Sequence, residues 1–363
     1  MERLRHDDPT QIGPYATLAR LDAESAERTV PERRYLARGG DGERTVLVCV
    51  PRVGADPSRW ALEAEGARRL SVPGFLQVAE VGGTAGFPWS AAPYTPALPL
   101  PAVLAAYGGP LPEDTVRGLG AALARGLAAA HAGGVTHAGL SPASVLVTPG
   151  GPLLTCFGAA RAGLAGLDPG CVAPEQASAE AGASWPAGDL FALGAVLAYA
   201  ATGYTVPEQS ELPAGLRQLV GACLARDPAD RPASAHALLR DLAPPADSAG
   251  PAGTAEPRAS ADPRRPARAG CSTSGGASNA GGDGGCPAEP NPAAPGGFAG
   301  TAAPGGAAGA ALAVGGQTVL DQAAPPLLLP GRVVAALAAQ SAALLAAELP
   351  APQQAFATTQ KVH

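Results

Sequence analysis

The chain has 363 residues, 46% of them hydrophobic and 4% aromatic, and a formal net charge of −6 at pH 7. This length allows one large or two modest domains, and the negative charge gives no electrostatic reason to expect binding to nucleic acid or to an anionic membrane surface. Six cysteines without a C-x-x-C pair argue against a dense disulfide framework and against a zinc site.

The N-terminal residues and the apolar stretches predict a cytoplasmic protein. The first residues, MERLRHDD, are charged and lack the apolar core of a signal peptide. Residues 307–314 are too short to cross a membrane, and Arg332 interrupts a later apolar stretch. We therefore expect no membrane span.

Short strands and one helix are predicted over residues 12–100. The β-branched run TVLVCV at 45–50 predicts a strand, and the Ala-, Glu- and Arg-rich residues 58–70 predict a helix. Residues 76–81 and 89–94 are further strand candidates.

From residue 113 onward the pattern becomes helical. Two acidic residues open a helix at 113, leucines then recur four residues apart, and a Gly-Gly pair at 133–134 ends it. Further helices are predicted over residues 188–201, 216–225 and 233–242. A β-rich front followed by an α-rich back predicts an α+β domain of two lobes.

Residues 134–162 carry the most informative pattern. A histidine-bearing loop leads to an apolar run, a Pro-Gly-Gly turn, a second apolar run and a Phe-Gly step. The two motifs resemble the catalytic and magnesium-binding loops of protein kinases, H-R-D-L-K-P-x-N and D-F-G, and the later motifs follow the order of the eukaryotic-like serine/threonine kinase family. The motifs are HAGLSPAS at 137–144, CFG at 156–158, APE at 173–175, DLFALG at 189–194 and DPADRP at 227–232.

The resemblance implies a two-lobed protein-kinase-like fold over residues 12–243. A small β-rich N-lobe would cover about 12–95 and a larger helical C-lobe about 96–243, with residues 1–11 as an N-terminal extension. It also implies fold-holding roles: a buried Glu–Arg ion pair, an aspartate bound to the backbone of the histidine loop, and a column of apolar side chains that joins the lobes. The residues with these structural roles are His137, Phe157, Gly158, Glu175, Asp189 and Arg231.

The groups that phosphoryl transfer requires are replaced. Transfer depends on a lysine over the phosphates, on a metal-binding Asp and Asn, and on an Asp that receives the substrate hydroxyl proton. The chain has one lysine, Lys361, and residues 115–167 contain no Asp, Glu or Asn, so no catalytic residue and no metal site are expected. The degenerate positions are Cys49 for the lysine, Gly139 for the substrate-side Asp, Ser144 for the Asn and Cys156 for the magnesium-binding Asp.

The cleft would offer little to a nucleotide. Residues 21–35, where a glycine-rich loop should lie, contain no glycine and are interpreted as a solvated mixed-charge loop that includes Arg34. Glu63 stands at the helix glutamate and is either solvated or paired with an arginine such as Arg52 or Arg68. Neither ATP nor magnesium is expected as a cofactor. The candidate cleft residues are Cys49, Glu63, Ala92, Tyr94 and Cys156.

Two of these positions are cysteines that the resemblance brings together. The lysine and the magnesium-binding aspartate of a kinase face each other across the cleft, so Cys49 and Cys156 would be neighbours. Either they fill the cleft as small apolar groups or they form a redox-sensitive disulfide.

Beyond residue 243 the composition changes to Ala, Gly, Pro and Ser. Residues 244–330 are predicted to be a disordered linker, in which Cys271 and Cys286 are either lone exposed thiols or a pair. Residues 331–350 predict an isolated helix, either transient or capping a domain or partner, and residues 351–363 a tail.

Three functions remain open at this level. The first is a pseudokinase that acts as a signalling scaffold or binding module for a protein partner, whose identity the sequence does not give. The second is an active serine/threonine kinase with displaced catalytic groups. The third is a metal-independent sensor of a nucleotide or another small molecule.

Overall fold

The computed structural model describes part of the chain. The described residues are 2–22, 30–40, 42, 44–163, 166–177, 186–243 and 327–347. The predicted linker as far as residue 326, with Cys271 and Cys286, and the predicted tail lie outside the described residues.

The N-lobe is an antiparallel sheet with a single helix in its described part. Its strands are β1 Glu2–Arg3, β2 Gln11–Ile12, β3 Tyr15–Arg20, β4 Glu32–Gly39, β5 Thr45–Pro51, β6 Glu80–Thr84 and β7 Phe87–Pro93. These described strands are ordered β1-β3-β4-β5-β7-β6, and β2 also pairs with β3. Residues 1–11, expected as an extension, thus contribute two strands to the sheet.

The pairing of β4 with β5 places the cleft-facing side chains. Arg34 lies opposite Cys49, and Leu36 lies opposite Leu47. Since successive side chains alternate between faces, these four side chains share one face of the sheet. Tyr35 and its neighbours pack on the other face, in a separate apolar cluster.

Two predictions for the N-lobe need correction. The strand expected at residues 76–81 is wrong, because β6 starts only at Glu80. The mixed-charge loop is shorter than expected, because Arg34 already lies within β4. Three consecutive charged residues at the start of β4 masked its strand pattern, whereas the apolar run of β5 matched its prediction closely.

The predicted N-lobe helix is confirmed as α1, Pro57–Arg69. Asp56 caps it by accepting hydrogen bonds from the backbone N–H groups of Ser58 and Arg59, which satisfies donors that have no partner within the helix. Trp60 and Ala64 are its buried residues, so one face of α1 packs on the sheet.

The C-lobe is helical. Leucines of α3 at the predicted four-residue spacing are buried in its core, and α5 is buried on nearly all sides. The predicted helices at 113, 188, 216 and 233 are confirmed, whereas α2 and the short α4 were not predicted. The helices are α2 Leu100–Tyr107, α3 Glu113–Ala132, α4 Pro174–Ala177, α5 Pro186–Thr202, α6 Ala214–Cys223 and α7 Ala235–Leu242.

A small sheet below the cleft positions the two motifs. Its strands are β8 Leu98–Pro99, β9 Val145–Thr148 and β10 Gly151–Leu154, in the order β10-β9-β8. The hairpin pairs Val145 with Leu154. The residue before β9, Ser144, and the residues after β10, Thr155 and Cys156, therefore lie side by side.

The last described element is helix α8, Gly331–Leu345. The sequence left open a transient helix or a capping helix, and α8 caps the domain: Val333, Leu337 and Leu344 are buried against it. None of the described helices combines the length and apolar character needed to cross a membrane.

Candidate functional site

Asp189, near the start of α5, holds the histidine loop. Its carboxylate accepts hydrogen bonds from the backbone N–H groups of His137, at 2.8 Å, and Ala138, at 2.9 Å. Ala138 has a φ of 51°, a left-handed conformation that costs a non-glycine residue free energy. The two charge-assisted hydrogen bonds offset that cost and fix the loop.

His137 and Phe157 form part of an aromatic cluster with Phe75. The His137 ring centroid lies 5.3 Å from that of Phe75 and 6.2 Å from that of Phe157. Burial lowers the pKa of His137 to about 4, so the imidazole is neutral at pH 7. The ring therefore serves as a packing group that joins the two motifs.

Glu175 and Arg231 form a bidentate ion pair, with distances of 2.6 and 2.7 Å. Arg231 also donates to the backbone oxygens of Ala187 and Ala225. Burial alone would raise the pKa of Glu175, but the hydrogen bonds from Arg231, a backbone hydrogen bond and the charge of Arg231 together lower that pKa. Arg231 thereby ties α4 to the first turn of α5 and to the segment between α6 and α7.

Gly139, at the substrate-side aspartate position, is in tight contact with the second motif. A Cβ at Gly139 would lie 2.1 Å from the carbonyl oxygen of Cys156. Backbone of the CFG motif thus occupies the space where an aspartate side chain would begin. The loop packs tightly against the glycine, so an aspartate at position 139 would require the CFG backbone to move.

Ser144, at the metal-binding asparagine position, is engaged in a local turn. Its hydroxyl accepts from the backbone N–H of Ser141 at 2.8 Å and donates to the carbonyl oxygen of Ser141 at 2.9 Å. The Ser141 hydroxyl in turn accepts from the Ser144 N–H. This capping arrangement uses the Ser144 hydroxyl within the loop, away from any ion.

Arg34 is the functional residue that the sequence interpretation missed. Its guanidinium is completely buried and pairs with Asp22. It also crosses to the C-lobe, where it donates to Thr155 Oγ1 at 3.0 Å and to the carbonyl oxygen of Ala143 at 2.9 Å. Thr155 and Ala143 immediately precede Cys156 and Ser144. A positive charge of the chain itself therefore lies beside both metal-ligand positions.

The strand register was the signal that could have found Arg34. Residues that face Cys49 across β4 and β5 must enter the cleft, and Arg34 is that residue. Its partner Asp22 is also largely buried. The interpretation of both as part of a solvated loop is wrong.

The Glu32 carboxyl group lies beside the thiols of Cys49 and Cys156. Cys156 Sγ lies 3.5 Å from Glu32 Oε1, and Cys49 also hydrogen-bonds to Glu32. Burial raises the pKa of Glu32, and it raises the pKa of both thiols well above their ordinary value. Both cysteines are free thiols in this structure, and each has a polar partner that the apolar-filler interpretation lacked.

Glu63 pairs with Arg161, which is neither of the arginines suggested by the sequence. Arg161 Nη2 lies 2.8 Å from Glu63 Oε2, and the guanidinium stacks over the Phe157 ring at 4.6 Å. Arg68 instead pairs with Glu65 on the same helix. The Glu63–Arg161 pair joins α1 to the segment after the CFG motif.

The rest of the cleft is closely packed. Leu36 and Leu47 from the sheet and Leu146 from β9 are each at most 1% exposed. Ala92 is buried in β7, and the half-buried Tyr94 hydroxyl lies 3.4 Å from the Ala97 nitrogen.

Small cavities remain beside the cleft. One of about 50 Å³ is lined by Glu32, Cys49, Glu63, Cys156 and Phe157 among others, and another of about 60 Å³ is lined by Asp22, Glu32, Arg34 and Arg52 among others. Each is large enough for a few water molecules and far below the ~300–1,000 Å³ of ordinary ligand pockets.

Magnesium does not suit the donors present. The described residues contain no group of three His, Cys, Asp or Glu side chains arranged to hold a metal ion. Magnesium prefers carboxylate and phosphate oxygens, whereas the corresponding positions carry a neutral thiol and an engaged hydroxyl beside the Arg34 guanidinium. The residues at these positions therefore do not suit a magnesium ion.

The chain is similar in sequence to bacterial serine/threonine-protein kinases. The sequence is 35% identical over 268 residues to the probable serine/threonine-protein kinase PkwA of Thermomonospora curvata, a match that covers 66% of this chain and 35% of that protein. It is 33% identical over 276 residues to the serine/threonine-protein kinase AfsK of Streptomyces griseus, covering 67% and 33%. The chain thus spans about a third of the length of these relatives.

Among solved structures, the kinase domain of PknI from Mycobacterium tuberculosis aligns with 63% of this chain and 94% of its own, at 23% identity and a TM-score of 0.49. No family model matches the sequence.

Proposed function

We propose that this protein-kinase-like domain, whose relatives are bacterial serine/threonine-protein kinases, is a pseudokinase. It keeps the kinase scaffold, transfers no phosphate and serves as a binding module for a protein partner in signalling. The observation that carries the proposal is the Arg34 guanidinium, which spans the cleft between Asp22 and Thr155.

The position of Arg34 is unfavourable for nucleotide binding. Insertion of ATP and magnesium would require the guanidinium to leave Asp22, Thr155 and the carbonyl oxygen of Ala143. Breaking a buried ion pair is strongly unfavourable, because it leaves an uncompensated buried charge. A nucleotide would have to supply that free energy before gaining any of its own contacts.

Even with a nucleotide bound, the loops would lack a group that phosphate transfer requires. The substrate-side position is Gly139, and the carbonyl oxygen of Cys156 fills the space beside it. Without a carboxylate there, the attacking hydroxyl has no group to receive its proton. The same loops remain rigidly held by Asp189, which suits a scaffold that presents a fixed surface.

Phosphate transfer by the full chain tests the proposal. The chain is incubated with γ-labelled ATP, magnesium or manganese and generic serine/threonine substrates, with the Glu63→Gln variant as the control for contaminating kinases. We expect no incorporation above the level of that variant. Incorporation by the unmodified chain that is lost in Glu63→Gln would show an active kinase with displaced groups.

A further inference from the structure

Helix α8 contacts the C-lobe at its first turn. Arg332 Nη1 donates to the carbonyl oxygen of Tyr107, at the end of α2, at 3.2 Å. Val333 and Leu337, one turn apart, are buried in the C-lobe core. Just before the helix, Leu327 lies against α3, where a Cβ at Gly118 would come within 3.1 Å of its Cδ1.

The last turn of α8 contacts the N-lobe. Leu344 is 7% exposed and belongs to the apolar cluster that includes Leu36, Leu47 and Cys156. Arg38 of β4 donates to the carbonyl oxygens of Leu344, at 3.2 Å, and Ala347, at 3.3 Å. The arginine thus donates to carbonyl oxygens at the C-terminal end of the helix, where a positive charge complements the helix dipole.

The place of Arg38 locates this contact at the edge of the cleft. Arg38 pairs with Thr45 across the sheet, and the carbonyl oxygen of Thr45 accepts from the N–H of Tyr94, where the chain leaves β7 for the C-lobe. The end of α8 therefore lies beside the connection between the lobes.

One residue of α8 weakens this contact. The Gln340 side chain is 6% exposed, and neither its Nε2 nor its Oε1 has a hydrogen-bond partner among the described residues. A buried amide without partners forfeits the hydrogen bonds it would make in water. Docking of α8 is thus favoured by its leucines and opposed at its centre, which makes the docked state reversible.

We propose that α8 is a releasable strap across the two lobes: docked, it holds them together and covers the edge of the cleft, and undocked, it lets the lobes part and exposes Cys49 and Cys156. The strap would act in this way whether or not the domain transfers phosphate. The strap is segment 327–347 of the chain itself.

Labelling of individual cysteines in the full chain tests the strap. Leu337→Asp removes a buried contact of α8, and Val334→Asp, at a position 51% exposed on the same helix, is the matched control. Alkylation rates are read by mass spectrometry for Cys49, Cys156 and the buried Cys223 of α6. Cys223 reports unfolding of the C-lobe.

Leu337→Asp should raise the labelling rates of Cys49 and Cys156 by more than about tenfold over those of Val334→Asp, because local opening precedes labelling of a buried thiol. Cys223 should stay protected, and a peptide of residues 327–347 added in trans should restore protection. Unchanged rates at the two cleft cysteines, or an equal rise at Cys223, would overturn the strap.

Gln340→Leu provides an opposite test that needs no destabilised variant. Replacing the unpartnered amide by an apolar group should strengthen docking, so Cys49 and Cys156 should label several-fold more slowly than in the unmodified chain. Labelling of Cys49 and Cys156 at the same rate as in the unmodified chain, or at a faster rate, would contradict a reversible strap.

Discussion

Arg34 connects the N-lobe to both motifs of the C-lobe. It lies on β4, yet it bonds Thr155 before the CFG motif and Ala143 within the histidine loop. Interactions with Asp22 raise its pKa against the effect of burial. The guanidinium therefore stays charged, and its four hydrogen bonds tie β4 to both motifs.

Removing Arg34 should destabilise the domain strongly. Arg34→Met leaves the Asp22 carboxylate without its partner, and losses of about 3–5 kcal/mol are typical when one member of a buried pair is removed. Arg69→Met, at an exposed position on α1, should change stability by less than about 0.5 kcal/mol. Urea denaturation gives the free energy of unfolding of each variant. Equal values would mean that Arg34 contributes no more to stability than Arg69 does.

Restoring the aspartate at Gly139 should not restore a kinase. The Cβ of Gly139→Asp would meet the carbonyl oxygen of Cys156, and overpacking of this kind costs about 1–3 kcal/mol. The control is Gly150→Asp in the β9–β10 turn, where the nearest atom lies 3.7 Å from the new Cβ. Thermal unfolding should show a lower Tm for the first variant alone; phosphate transfer by it would contradict the account.

His137 should make stability depend on pH. The folded pKa is lowered from 6.5 to about 4 by burial, so the imidazole's contribution is fully present above pH 6.5 and is lost as the pH falls towards 4. The free energy of unfolding of His137→Phe should fall less over that interval than that of the unmodified chain. The exposed His236→Phe should behave like the unmodified chain; parallel curves for all three would refute the assignment.

At the scale of elements, α1 is held to the C-lobe by the Glu63–Arg161 pair. The pair is partly buried and stacks on Phe157, whereas the Glu65–Arg68 pair is exposed and lies within α1. Exposed pairs contribute little to stability. The two pairs on one helix therefore offer a matched comparison.

Arg161→Met should loosen α1 more than Arg68→Met does. We expect a loss of about 1 kcal/mol for Arg161→Met, since both the ion pair and the stacking on Phe157 are removed, and almost none for Arg68→Met. Hydrogen exchange of the α1 amides should rise in the first variant only. Equal exchange in both would show that the pair does not anchor the helix.

The elements that the sequence predicted well are those with one strong local signal. Helix α3 has an acidic first turn, a leucine stripe and a glycine stop, and β5 is an unbroken β-branched run. Strand β4 was missed because Glu32 and Arg34 are buried and charged, which local patterns assign to solvent. Only the register of β4 against β5 explains why those charges point inward.

The candidate site was predictable in part for the same reason. Substituted motif positions such as Cys49 and Gly139 can be read directly from the sequence. What replaced the lost groups cannot, because Arg34 and Arg161 act through partners about a hundred residues away in the chain. Such long-range pairing is set by the packing of the lobes.

At the scale of the whole molecule, side chains far apart in sequence link the lobes. Arg34 bonds across the cleft, Glu63 pairs with Arg161 behind it, and Arg38 bonds the end of α8. A kinase must open and close its cleft to bind and release nucleotide. While α8 is docked, bridging at these places favours one closed arrangement of the cleft.

We propose that the chain's own side chains occupy the cleft in place of ATP and its metal. The thermal midpoint of the full chain, measured with excess ATP alone, with magnesium and with manganese, tests it most directly, because a ligand at a hundredfold excess over its Kd adds about 2.7 kcal/mol of stability. We predict the same Tm in all conditions. A rise in Tm that depends on ATP and the metal together, and that is lost in Glu63→Gln, would contradict the account.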